Sequence, residues 1–255
     1  MPKLRSSLKL SAPLLGLLWS ALVPVAEAGS YYATSGGWVY DVKGRVQLNE
    51  PLDLQRDLHL RTTDKGEFTL GYIPEKLGWI PGLDLGYVHL AAEGEQTVGR
   101  PVQFGPLSIG QASVVATSAA IDDIDACIRW PYVWANASAS AGVTVVRLNG
   151  NVVVADTNTG QQNNQPIDEI FPLLSLAGSY RPIDNLRLSA RGDYIQYSGN
   201  TAHTLEAGAF YKFLGPVGFE VGWRQRRFKI NNPNGYNFDA RLSGARIALR
   251  FEFSR

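Results

Sequence analysis

Three histidines, His59, His89 and His203, one cysteine, Cys127, and the acidic run Asp122, Asp123, Asp125 are the side chains here best suited to chemistry. A histidine acts as a general base when it stands within hydrogen-bond reach of the group it deprotonates. None of the three lies in a recognisable nucleophile motif, and no serine is framed as Gly-x-Ser-x-Gly. The carboxylates suggest a cation site, but a strand sends successive side chains to opposite faces, so they do not converge as a calcium loop requires. A single cysteine forms no internal disulfide. These patterns predict no catalysis, no metal and no cofactor.

The other charged residues alternate with apolar ones, as a strand with two unlike faces requires. Asp41, Lys43 and Arg45 alternate with Trp38, Tyr40, Val42 and Val46. Asp123, Asp125 and Arg129 alternate with Ile124, Ile128 and Trp130. Arg187, Arg191 and Asp193 alternate with Leu186, Leu188, Ala190 and Tyr194. Glu206 lies between Leu205 and Ala207, and Glu220 and Arg224 flank Val221 and Trp223. The chain ends in "ARIALRFEFSR", where Arg246, Arg250 and Glu252 alternate with Ile247, Leu249, Phe251 and Phe253. If the apolar members face lipid, all these charges point into a polar lumen of mixed sign, where they pair across strands.

Such segments recur about ten times, each closed by turn residues. Short turns are expected at 74–82, 130–135, 181–185 and 214–216. Mostly longer connections are expected at 47–66, 94–116, 149–170, 198–202 and 230–236. Short turns at one end and long loops at the other describe an outer-membrane barrel, and strands in a bilayer have to close so that every backbone group is paired. Trp38, Tyr40, Tyr72, Trp79, Trp130, Trp134, Tyr180, Tyr211, Phe213, Phe251 and Phe253 fall near the short-turn end as an interfacial girdle, with Tyr194, Tyr197, Phe228 and Phe238 as a weaker opposite one. Asn49, Pro51, Leu54 and Leu58 suit either a short helix over the mouth or an irregular loop.

Residues 1–28 read as a secretory signal peptide, with Lys3, Arg5 and Lys9 before an apolar run and Ala26-Glu27-Ala28 at its end. The precursor carries +1. The leader holds three cations and one carboxylate, so the rest stands at about −1, which offers no footprint for nucleic acid. Residues 29–34 are expected as a short periplasmic segment and 35–255 as the barrel.

"SGARIALRFEF" resembles the C-terminal assembly signal of outer-membrane barrels, with Gly244, Ile247, Leu249, Phe251 and Phe253 in its places, although Ser254 and Arg255 follow the last phenylalanine. "DLQRDLHL", "YIPEKLGWIPGLDLGYVHL", "FGPLSIG" and "VGFEVGWRQRRFKI" resemble a family of small Gram-negative outer-membrane β-barrels of unknown function, often found in genomes with a GlyGly-type C-terminal sorting system. The resemblance implies fold and location, not chemistry. The expected fold is an all-β, closed antiparallel transmembrane barrel of about ten strands, eight being the alternative count. The expected role is structural, or a narrow channel for small solutes, in the bacterial outer membrane; the alternative is a hydrolase or lipid-modifying enzyme with its site at the extracellular rim. The expected partners are outer-membrane lipid and the barrel-assembly machinery, which would engage the last strand.

Overall fold

The structure is a computed structural model, and it describes residues 29–47, 51–64, 66–74, 80–231 and 237–254. The expected signal peptide at 1–28, Asn49 and Trp79 lie outside the described residues. The strands are β1 (Gly29–Gln47), β2 (Pro51–Asp53), β3 (Arg61–Asp64), β4 (Gly66–Pro74), β5 (Gly82–Thr97), β6 (Val102–Phe104), β7 (Leu107–Ile109), β8 (Val114–Trp134), β9 (Ala137–Asp156), β10 (Gln162–Ile183), β11 (Leu186–Tyr197), β12 (Asn200–Leu214), β13 (Val217–Asn231) and β14 (Asn237–Ser254). The wall runs β1-β4-β5-β8-β9-β10-β11-β12-β13-β14, and β14 pairs back onto β1, closing an antiparallel barrel of 10 strands. Closure is continuous from Ser30↔Ser254 to Gln47↔Asn237. β3 continues the path of β4 along β5.

Two of the expected boundaries are corrected. Residues 29–34 are not a separate segment: β1 begins at Gly29 and pairs there with β4 and β14. Most of residues 149–170 is not a loop but the upper parts of β9 and β10, joined by a turn at 157–161, while 94–116 holds only the ends of β5 and β8 with the β6–β7 hairpin between them. The short turns stand where alternation breaks, at 135–136, 184–185 and 215–216, and Gly215 takes φ 52° in the last of them.

The long wall strands change polarity once along their length, and their two faces change together. On β14, Ile247, Leu249, Phe251 and Phe253 are exposed outward while Arg250 is buried within; higher up, Arg241 faces out while Phe238, Ala240 and Leu242 are buried. On β13, Phe219, Val221 and Trp223 face out beside the buried Arg224 and Arg226; above them Lys229 is exposed and Phe228 and Ile230 are buried. On β8, exposed Ile124 and Ile128 back buried Asp123 and Asp125, and Ile121 and Val115 are buried higher up. The barrel therefore has two storeys. The lower one is apolar outside and charged inside, as hydrocarbon demands. The upper one is polar outside with an ordinary apolar core, as water demands.

This arrangement inverts one strand of the reading. Asp41, Lys43 and Arg45 do not enter the lumen; they lie on the outer wall of the upper storey, opposite buried Tyr40 and Val46. Trp38 and Tyr40 leave the expected girdle for the interior, where their rings pack 4.6 Å apart. Phe228 and Phe238 are likewise core residues. A shift of one residue moves every side chain to the other face, and the strongest alternation on β1 belongs to the storey above the membrane.

Two inserts fill the mouth. The β6–β7 hairpin brings in Phe104 and Ile109, and residues 51–60 bring in Leu52, Leu54, Leu58 and Leu60. The latter form β2 and one helical turn rather than a helix. Asp53 Oδ1 accepts from Gln55 N at 3.0 Å and Arg56 N at 2.8 Å, while Asp53 N donates to Asp57 Oδ2 at 2.9 Å. Partial burial pushes the Asp57 carboxyl up, but the Asp53 N–H and neighbouring Arg56 outweigh it and hold it below its usual range. Its contribution to the turn is present above the unfolded pKa and lost as pH falls through the depressed folded one.

Truncating the upper core should cost far more than trimming its wall. Tyr40→Ala is expected to lower stability by about 3–5 kcal/mol and Lys43→Ala by less than about 0.5 kcal/mol, measured by denaturant unfolding from lipid vesicles. The opposite ranking would restore the inverted assignment of β1.

Candidate functional site

The charged lower storey is the candidate site, and its residues come from strands far apart in sequence. Arg226 on β13 pairs with Asp123 and with Asp125 Oδ2, the latter at 2.8 Å. In the wall order β8 and β13 stand five strands apart in either direction, so this contact crosses the bore. The Arg226 side chain is 1% exposed and that of Asp123 0%. Two carboxylates share one guanidinium in a dry interior, and Asp123 Oδ1 and Arg226 Nε are left without a hydrogen-bond partner.

Below this crossbar the pairs are continuous. Arg224 donates to Glu206 at 2.6 Å and to Glu67 at 2.8 Å. Arg246 bridges Glu67 and Glu220. Arg250 reaches Glu220 at 3.2 Å and Glu252 at 2.9 Å, and it covers the Tyr32 ring at 3.7 Å. Arg187 forks onto Glu252 at 3.2 and 2.7 Å. Arg191 joins Asp193 at 2.8 Å and Thr144 at 3.0 Å. Arg129 and the Tyr32 hydroxyl both donate to Asp84. Every guanidinium here has a carboxylate, and nearly all the pairs join different strands. Among the pairs lies a cavity of about 330 Å³, lined in part by Ser30, Thr34, Asp125, Arg187, Arg224 and Arg250. Above the crossbar, Phe171 and Phe228 pack 5.8 Å apart and the apolar core begins.

Placed against the expected lumen set, Asp123, Asp125, Arg129, Arg187, Arg191, Asp193, Glu206, Glu220, Arg224, Arg246, Arg250 and Glu252 all lie inside. Asp41, Lys43 and Arg45 do not. Glu67, Asp84 and Arg226 are missing from that set, although each sits on the polar parity of its strand: Glu67 beside Phe68, Asp84 between Leu83 and Leu85, and Arg226 two residues beyond Arg224.

The histidines lie elsewhere. His59 is exposed and bonds Gln96 at 2.7 Å. His203 faces Gln225 at 3.1 Å. His89 Nδ1 meets Asp122 Oδ1 at 2.7 Å, and the Tyr87 hydroxyl donates to the same oxygen at 2.9 Å. Asp122 thus points outward and its neighbour Asp123 inward, as strand geometry requires. Cys127 is buried against Ser175 at 3.7 Å.

No family model and no curated relative matches the chain. Among solved structures it is similar to the outer membrane protease OmpT from Escherichia coli, at 11% identity and a TM-score of 0.47, covering 90% of this chain and 98% of that one. It is also similar to Ail, the attachment invasion locus protein of Yersinia pestis, at 10% identity and a TM-score of 0.39, over 89% of this chain and 100% of that one. The translocator domain of the autotransporter NalP from Neisseria meningitidis gives 10% identity and 0.41 over 94% of each. Likeness this distant says nothing of activity or substrate. The barrel rests on this chain's own strand register, and the resemblance to a family tied to a sorting system finds no support beyond the barrel class.

Removing the central cation should leave two buried carboxylates unpaired. Arg226→Met is expected to cost about 3–5 kcal/mol, and adding Asp123→Asn and Asp125→Asn should recover most of it. Unfolding from vesicles measures both. A full loss that the triple variant does not relieve would show that Arg226 acts by packing rather than by charge.

Proposed function

We propose that the chain is a bacterial outer-membrane barrel with a closed bore, whose role is structural: it anchors the upper storey at the cell surface and neither conducts solutes nor catalyses a reaction. The observation that carries this is the crossbar of Arg226 on Asp123 and Asp125, capped by the apolar core. A solute pathway needs a continuous wettable bore, and here an ion-paired plane is followed by side chains packed as in a soluble protein. The interior also compensates itself, with Arg129, Arg187, Arg191, Arg224, Arg226, Arg246 and Arg250 against Glu67, Asp84, Asp123, Asp125, Asp193, Glu206, Glu220 and Glu252. Seven cations against eight carboxylates leave a single negative charge in excess, too little field to select an ion.

The location draws on the apolar belt, the girdle at the short-turn end and the leader expected at residues 1–28. Tyr132 and Trp134 (4.8 Å) and Phe213 and Phe219 (4.9 Å) pack ring to ring on that outer surface. The outward Phe251 and Phe253 suit recognition of the last strand by the assembly machinery. One observation favours the hydrolase alternative: the outward pair His89–Asp122 has the geometry of an acid–base dyad. Its third member is Tyr87, which donates to the carboxylate; among the described residues the imidazole holds no nucleophile.

Planar-bilayer recording of the purified barrel tests the closed bore. No stepwise conductance is expected from the wild type at neutral pH. Discrete, reproducible channels that vanish on filling the bore, as with Ser175→Phe, would overturn the structural reading in favour of the narrow channel.

A further inference from the structure

The outer wall of the upper storey is not uniform. On β1, β14, β13 and β12 the register places Lys43 beside Arg241, Arg241 beside Arg227 and Arg227 beside His203, a row of basic groups across four adjacent strands. The next row up holds Arg45, Asp239 and Lys229, with Asp53 of β2 opposite Arg45, and the exposed Asp41 lies one row below Lys43. Adjacent strands lie about 4.8 Å apart, and like charges directly opposite one another on a sheet destabilise it. Only part of this charge is met internally. Arg227 forks onto Asp239 at 2.9 and 2.8 Å. Gln225, outward yet 8% exposed, accepts from Arg241 and faces His203, which stiffens the floor of the patch. Lys43, Arg45 and Lys229 are exposed and take part in no ion pair among the described residues.

The opposite wall has the reverse sign. There β5, β8 and β10 carry Glu93, Glu95, Asp122 and Asp168 outward against Arg147 on β9 and Arg61 on β3. A wall needing only solubility has no reason to sort its charges by sector. The basic sector also has a fixed height. Its row begins four residues above Val39, the last outward apolar residue of β1, about 13 Å along a tilted strand. That is the headgroup level on the long-loop side of a bilayer whose hydrocarbon ends near Val39 and Trp223.

We propose that this sector binds the phosphate groups of phosphorylated lipid headgroups in the outer leaflet. Paired guanidinium groups suit phosphate oxygens through forked hydrogen bonds, and lysines add point charge. A lipid chosen this way lies with its acyl chains along Val39, Val221 and Trp223 and its phosphates on Lys43, Arg45, Lys229 and Arg241. The inference rests on the membrane reading above.

Native mass spectrometry of the purified barrel in nanodiscs tests it. Phosphatidylcholine nanodiscs, plain or doped with bisphosphorylated lipid A or its dephosphorylated form, would be compared. The wild type is expected to retain bisphosphorylated lipid A, and the Lys43→Gln/Arg45→Gln/Lys229→Gln variant to retain it about tenfold less or worse. Arg147→Gln on the opposite wall should match the wild type. Equal retention by wild type and triple variant, or equal retention of the dephosphorylated lipid, overturns the site while the barrel stands. Displacement by millimolar inorganic phosphate overturns the lipid assignment in favour of a free anion. Failure to insert into plain phosphatidylcholine overturns the membrane reading and the site with it.

Discussion

The contact of Arg226 with Asp123 and Asp125 is the constraint on which the rest of the barrel turns. It joins opposite walls at the level where both faces of the long wall strands change character. Below it, lipid outside demands apolar side chains, so an apolar lumen would leave the strand with two similar faces and no preferred register. Charged lumen residues remove that ambiguity, because a slip by one residue would carry Arg246 or Arg250 into hydrocarbon, at up to about 2–4 kcal/mol for a basic group at the midplane. The ion pairs thus act on specificity as much as on stability. Burying such pairs yields little net energy, but the alternative registers become far worse.

Above the crossbar the same strands obey water. Their outer faces carry Asp41, Lys43, Arg227 and Arg241, and their inner faces carry Tyr40, Phe228 and Leu242. The upper storey is a soluble barrel grown on a membrane one, closed on itself by β1 and β14 and filled from above by Leu54, Leu58 and Phe104. Glycine makes the wall continuous through the change. Gly244 sits opposite Tyr40, and a Cβ there would fall 1.8 Å from Val39 O, so the strands approach only because no side chain intervenes. A bore capped in this way serves as a rigid post rather than a pipe, and the surface it raises above the membrane is the part left to meet partners.

Much of this was legible in the sequence. Strands β8 and β11 to β14 declare their lipid face because the membrane-spanning part holds their longest alternation, as in Val217, Phe219, Val221 and Trp223. Their lumen charges follow by parity. β1 misleads for a physical reason: its membrane part, Tyr31 to Gly37, is short of large apolar residues, and its clear alternation from Trp38 to Val46 lies in the upper storey, where the apolar face is the inner one. A signal for the inversion exists within single strands. In "WRQRRFKI" the residues of one parity run Arg224, Arg226, Phe228, Ile230, from charge to grease, which no uniform environment explains. Which charges meet is a different matter. The pairing of Arg226 with Asp123 depends on barrel closure and strand number, and nothing local in the sequence encodes a contact between opposite walls.

The exchange of polarity is tested most directly by single nitroxide labels along the outer face of β13, at positions 219, 221, 223, 227 and 229, in lipid vesicles. Collision with oxygen should dominate at 219, 221 and 223, and collision with a water-soluble paramagnetic complex at 227 and 229, with the crossover between 223 and 227. Uniform oxygen contact through position 229 would place the upper storey in lipid, and uniform water contact through position 219 would place the whole barrel in solution; either result contradicts a barrel built in two storeys.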